Sequence, residues 1–228
     1  MPNADELSRW LARLPSDWTI GCSESVFARA RAEYASPVRY YHDWHHVEAC
    51  VAHLESFACD HPRTVFLALV FHDAVYIAGR SDNEAKSAEL ARSVLGAEQC
   101  VEESELAAIE RMIRATHDHR AHASSADRDV AVMLDIDLAI LGASRDDYAK
   151  YARAIHDEYV PSATTDARFR IGRLEFLERT LSSPSLFITP DASRRWESRA
   201  RANLAWEIDL LKSEQGLVER AVSAIRRS

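Results

Sequence analysis

An all-α fold is predicted by three features of the sequence. Glycine and proline are scarce, six and seven in 228 residues, so the residues that punctuate loops and turns are few. Alanine, leucine, arginine and glutamate recur throughout, and all four favour helix. Apolar residues return every three or four positions along most of the chain, the period of a helix with one buried face. Because 47% of the residues are hydrophobic, the chain can bury one substantial core. No tandem repeat or low-complexity linker marks a boundary. The expectation is one compact helical domain over residues 1–228, with 193–228 packed on it as a carboxyl-terminal helical extension.

The elements follow in order. Residues 3–14 carry Leu7, Leu11 and Leu14 on one helical face, and residues 23–35 carry Val26 and Ala30 before a turn at Ser36-Pro37. Both are expected to cover the entrance side of the core. From Trp44 to Phe57, the residues Val47, Cys50, Leu54 and Phe57 form a helical stripe. Asp60 is placed to N-cap a helix opening at Pro62, and the run Val65–Val75 reads as buried. Ser81 and Glu84 have capping-box spacing for a helix reaching about Leu95, with Gly96 as its stop. A helix near 102–116 leads into a polar connection holding His117, His119 and His122, close enough together to face a common cavity. Residues 127–141 are almost continuously apolar except for Asp129, Asp135 and Asp137, and Gly142 permits termination. Ser144 then caps a helix from Arg145 to about Val160, Pro161-Ser162 starts a connection, and 166–182 forms another helix. Beyond Ser183-Pro184, the chain from Ser193 favours helix, with Leu204, Ile208 and Leu210 available for packing.

Charge and cysteine usage narrow the function. A formal charge of −8 disfavours an extensive nucleic-acid surface while leaving room for a local phosphate pocket. Cys22, Cys50, Cys59 and Cys100 lack the close pairs of common structural zinc sites and are expected to be reduced thiols. Asp5 and Glu6 precede Leu7 where a secretory leader would be basic, and no run reaches the roughly 18 apolar residues of a membrane span. A cytoplasmic protein without membrane contact is expected.

His72-Asp73 lies within an apolar run in which Val65, Ala68, Leu69 and Tyr76 occupy nearby helical faces. An unpaired carboxylate there is costly. Alone, such a dipeptide is more often a hydrogen-bonded histidine or an aspartate paired with arginine. Asp137 strengthens the metal reading, because Val130, Leu134 and Leu141 set it on an apolar helical face. Asp135, two positions away, points elsewhere. His42 and His46 are four apart and converge on a helix or an ordered turn. One imidazole can ligate metal while the other transfers a proton, since those tasks need different electrostatic settings.

The ordered set His46, His72-Asp73 and Asp137 resembles the metal-binding core of the HD hydrolase superfamily. Four segments, Tyr41–Val47, Phe71–Tyr76, Arg80–Ala88 and Leu134–Gly142, together with Glu197–Leu204, look like a family of predicted HD phosphohydrolases. The likeness spans most of the chain. It implies a compact HD-domain helical bundle in which His46, His72, Asp73 and Asp137 bind one or two divalent ions. Manganese is the first choice, followed by iron, magnesium, zinc or cobalt. The implied substrate is a small phosphate ester, nucleotide or phosphodiester, attacked by metal-activated water that Asp73 orients.

The spacing of His42 and His46 is similar to the active site of class I cyclic-nucleotide phosphodiesterases, which implies His42 as the leaving-group acid. The extra histidines of multimetal HD enzymes make His119, with His117 and His122, candidates for a second metal. Arg80 and Lys86 are candidates for bordering phosphate, and Glu84 for supporting the site. Two other readings stand beside the hydrolase. One is a noncatalytic metal-dependent nucleotide sensor. The other is a structural interaction protein whose arginines near 194–201 meet a partner or solvent.

Overall fold

The computed structural model describes residues 4–122 and 126–225, with side chains up to residue 213. Among the described residues there are eleven α-helices and no strand. Three amino-terminal helices, α1 (Ala4–Leu11), α2 (Ser16–Thr19) and α3 (Glu24–Glu33), precede α4 (Trp44–Leu54) and α5 (Pro62–Phe71). An antiparallel pair follows, α6 (Asn83–Ala97) and α7 (Glu103–Ala115), leading through a 3-10 segment at Thr116–His122 to α8 (Arg128–Asp137). A second 3-10 segment at Leu138–Gly142 joins α8 to α9 (Arg145–Tyr159), then α10 (Asp166–Leu181) and α11 (Pro190–Ile225).

The core is built around α5. Every residue from Thr64 to Phe71 is buried, so this helix has no solvent face and must be surrounded. Helices α2, α4, α6, α7 and α8 pack against it. Trp10, Trp18 and Phe27 bring their rings within 6.1 Å of Phe66, which anchors the amino-terminal helices on the core. These three helices line none of the cavities described below, so they cover the core and not the entrance.

Several helix ends are fixed by side chains distant in sequence. Asp129 accepts the backbone N–H groups of Asp60 and His61 at 2.6 and 3.0 Å, capping the start of α5 in place of Asp60. Asp135 does the same for Ile188 and Thr189 at 2.6 and 2.7 Å, ahead of α11. Ser81 and Glu84 do not form the expected capping box. Helix α6 opens at Asn83, whose amide bonds both backbone groups of Ile77, and its reversal falls on Gln99, with φ of 51°, not on Gly96.

The carboxyl-terminal helices clamp the segment that follows α8. Arg199 donates to the Gly142 carbonyl at 2.8 Å, and Asn203 donates to the carbonyls of Leu141 and Ala143. Arg173 makes a bidentate ion pair with Glu207, at 2.8 and 3.0 Å, and Tyr148 donates its hydroxyl to the same carboxylate. Helices α9, α10 and α11 are thereby tied together through one buried acid. The arginines near 194–201 are used within the chain: Arg195 bonds Ser56, and Arg201 bonds the carbonyls of Leu181, Ser183 and Pro184. No helix among the described residues is long and apolar enough to cross a membrane.

Gly142 owes its identity to close packing. A Cβ there would lie 2.4 Å from Trp196 Cβ and 2.9 Å from its Cα, so α11 or the 3-10 segment must move to admit one. Gly142→Ala is expected to cost about 1–3 kcal/mol and to lower the melting temperature by on the order of 5 °C. Thermal unfolding followed by circular dichroism checks this, and an unchanged midpoint would remove the close-approach role.

Candidate metal centre and its cavity

The cluster is assembled from the ends of three helices. Asp43 caps α4 by accepting from His45 and His46 N–H at 2.9 and 3.3 Å, which fixes the turn that carries His46. His72 and Asp73 follow directly on the last turn of α5, and Asp137 is the final residue of α8. Arg39 holds the approach, donating to the backbone carbonyls of His42, Asp73 and Ala74 at 2.8–3.2 Å, so the segment before α4 is stitched to the one after α5.

One ligating atom from each of His46, His72, Asp73 and Asp137 lies within 4.8 Å of all the others. His46 Nε2 is 3.2 Å from His72 Nε2 and 3.1 Å from Asp137 Oδ1. His72 Nε2 is 3.1 Å from Asp73 Oδ2 and 3.3 Å from Asp137 Oδ1. The histidines are 6% and 1% exposed, so bulk water does not solvate this group. His72 Nδ1 donates to the Leu69 carbonyl at 2.8 Å, which selects the tautomer whose Nε2 lone pair faces the cluster.

The electrostatics call for positive charge. Burial opposes protonation of His72, yet Asp73 and Asp137 outweigh it and lift its pKa well above the ordinary 6.5. Burial likewise opposes ionisation of Asp73, but His72 pulls its pKa far down. Asp137 behaves the same way, held low against burial by His72, His119 and His46. Two carboxylates and two imidazoles without a cation must share protons across contacts near 3 Å. Two imidazole nitrogens and two carboxylate oxygens are all metal-ligating atoms, and the cluster can hold a metal ion.

His42 has different surroundings. It lies ahead of α4, and its Nδ1 is 2.6 Å from Glu158 Oε2, while Glu158 Oε1 accepts the backbone N–H groups of Tyr41 and His42 at 2.8 Å each. Its ring stacks on Tyr76 with centroids 4.0 Å apart. Burial disfavours the imidazolium, but the hydrogen bond to Glu158 overcomes it and raises the pKa. Glu158 is lowered in turn, His42 and the two backbone N–H groups prevailing over burial. Glu158 escapes sequence reading, since nothing near the last turn of α9 links it to a residue 116 positions earlier.

The remaining candidates divide. His119 Nε2 reaches Asp137 Oδ2 at 2.9 Å, placing it beside the cluster. His117 Nδ1 contacts Glu84 at 3.2 Å, so Glu84 supports a histidine at the edge of the site. The intervening Asp118 has non-helical backbone angles, and across this kink His117 stays exposed while His119 is half-buried. His122 lines none of the described cavities. Arg80 and Lys86 are also outside them, the former paired with Asp82 and the latter with Glu89 on the exposed surface. A cavity of about 630 Å³ opens over the cluster and is lined by His42, Asp73, Glu84, His117, His119 and Asp137. That volume suits a small-molecule ligand.

Glu158→Gln removes the charge that holds His42 and should lower the His42 pKa in metal-depleted protein, read from its imidazole proton shifts. A raised histidine pKa stabilises the fold below its unfolded value near 6.5, and this is lost as pH rises through the folded pKa. A lowered glutamate pKa stabilises above its unfolded value near 4.5, and this is lost as pH falls through the folded pKa. The pair therefore contributes most between those two pH values, and Glu158→Gln should flatten that part of the stability profile. An unshifted His42 titration would remove the coupling.

No protein-family model, curated protein or solved structure matches the chain, so its site is read from its own residues.

Proposed function

We propose that the chain is a metal-dependent phosphohydrolase acting on a small phosphate ester, nucleotide or phosphodiester. The observation that carries this reading is the His46/His72/Asp73/Asp137 cluster, whose two carboxylates line the same cavity as His42, an imidazole held by a carboxylate. The likeness of the same motifs to HD hydrolases supports it.

His46, His72, Asp73 and Asp137 would hold a divalent ion, which would supply Lewis-acid polarisation and a more acidic water. The chain's own residues do the rest. Leu69 O orients His72, Asp43 fixes the turn that carries His46, and Asp73 borders the cavity where it can align water. Glu158 keeps the Nδ1 proton of His42 engaged, and protonation at Nε2 makes His42 a donor for the departing oxygen. His42 and His46 thus divide acid catalysis from ligation. A nucleotide sensor would use the same cluster and cavity without product release, which makes turnover the discriminating measurement.

Metal-depleted protein, restored separately with manganese, iron, magnesium, zinc and cobalt, should release phosphate or a phosphorylated product from a panel resolved by mass. Asp73→Ala and Asp137→Ala should lose metal and activity together, whereas an exposed acid such as Asp146→Ala should keep both. Folded, metal-loaded protein that stays inactive across the panel would favour the sensor. His42→Asn should retain more metal than His46→Ala and lose about 10²–10⁴-fold in rate, the range of general-acid assistance. Its defect should grow with leaving-group basicity, and equal defects along such a series at equal metal content would reject the acid role.

A further inference from the structure

The cavity over the cluster continues along one face of α10, where Arg168, Phe169, Gly172, Arg173 and Phe176 line it. Aromatic side chains dominate this wall. Tyr151 and Tyr159 of α9 face Phe169 and Phe176, and the Tyr159 and Phe169 rings are 5.8 Å apart. The guanidinium of Arg173 lies 5.3 Å from the centroids of both Tyr151 and Phe176. Its charge is consumed by the buried bidentate pair with Glu207, so Arg173 fixes the rings without offering a free cation.

Two further features of the wall lack a purpose within the protein. Arg168 is exposed at the cavity margin, and among the described residues its guanidinium has no hydrogen bond or ion pair, since the neighbouring Asp166 is taken by His156 and Arg170. Gly172 occupies the interior of α10, where glycine weakens a helix. A Cβ at Gly172 would meet nothing within 4 Å, in contrast to Gly142. No packing contact in the fold requires glycine there, and the space its missing side chain leaves belongs to the cavity.

Resting on the phosphohydrolase reading for what happens at the cluster, we propose that this cavity selects a nucleotide: a planar base seats against the α9–α10 aromatic wall over Gly172, and Arg168 takes a second anionic group while the reacting phosphate faces the cluster. Phosphate recognition alone needs only the cation and one or two donors. Six aromatic rings, those of Tyr41, Tyr76, Tyr151, Tyr159, Phe169 and Phe176, line the cavity; Tyr76 is already stacked on His42, and the rings of α9 and α10 offer a stacking surface that a simple sugar phosphate would leave unused. The unpaired guanidinium suits a diphosphate or another bis-anion, for which a fork of donors is well matched.

The test is titration calorimetry of the manganese-loaded full chain with AMP, ribose 5-phosphate and α,β-methylene-ADP, with binding heat resolved from any slower heat of turnover. AMP should bind at least about tenfold more tightly than ribose 5-phosphate, a base contribution of ordinary stacking size. Gly172→Leu should fold with an unchanged or raised melting temperature, lose about tenfold in AMP affinity, and hold ribose 5-phosphate within about twofold of wild type. Gly172→Ala gives a smaller loss in the same direction if the leucine variant does not fold. Arg168→Gln should weaken α,β-methylene-ADP by about tenfold, as expected for one charge-assisted contact, and AMP by much less. Equal affinities for AMP and ribose 5-phosphate, undiminished AMP binding by Gly172→Leu, or an Arg168→Gln variant indifferent to the second phosphate would each overturn the assignment. Phosphate release is measured in parallel: tight nucleotide binding without release rejects the hydrolase and keeps the nucleotide pocket, whereas metal-dependent release with no preference for the base does the reverse.

Discussion

The structure depends on bringing Asp73 and Asp137 together against two buried imidazoles. Two carboxylates in a poorly solvated space repel each other and lose hydration, and burying either without a partner is among the costliest events in folding. The chain offsets this with His46 and His72 at 3.1–3.3 Å from the carboxylate oxygens. That arrangement holds only if the ends of α4, α5 and α8 stay in register. Arg39 stitches the first two, and α11 grips the carbonyls of Leu141 and Gly142 immediately beyond the third. The long carboxyl-terminal helix therefore acts on the cluster indirectly, by fixing the segment on which α8 ends.

The all-α class was legible because periodicity and scarce glycine report local preference, which α5, α8 and α9 obey. His72-Asp73 and Asp137 were legible for a related reason: acids amid apolar neighbours on a helical face demand a partner, and here the partners are one another. Identical logic applied to Asp129 and Asp135 leads elsewhere. Both are buried, but each is saturated by backbone N–H groups, from residues 60–61 and 188–189 respectively. Those donors are more than fifty positions away, so periodicity within α8 could not separate a ligand from a cap. Arg80 and Lys86 drew interest through their charge, yet local pairing to Asp82 and Glu89 consumes them, a short-range event that a search for distant phosphate contacts overlooks.

Within α8 the distinction between carboxylates becomes chemical. Asp129 and Asp135 each direct both oxygens at fixed backbone N–H donors, and Asp129 also meets the His61 imidazole at 2.8 Å. Asp137 has no backbone donor of this kind among its described contacts. One oxygen meets His46 and His72 while the other meets His119. Every partner is an imidazole, which can yield its place to a metal by becoming a co-ligand. A carboxylate surrounded by groups that can themselves ligate is the one positioned for metal.

The same principle separates two histidines four residues apart. His46 points its Nε2 into the cluster, 3.1 Å from Asp137 and 3.2 Å from His72, and outside the cluster it meets the buried thiol of Cys50 at 3.8 Å, a weak contact. His42 gives its Nδ1 to Glu158, a full charge at 2.6 Å, and against the opposing effect of burial this hydrogen bond, reinforced by the nearby Asp73, raises its proton affinity. A ligand imidazole must be neutral and an acid imidazole must carry a proton at the start of the step. The nearest partners come from different elements: Asp137, at the end of α8, for His46, and Glu158, in the last turn of α9, for His42. Two histidines four residues apart are thus distinguished by what each ring meets, and not by their spacing.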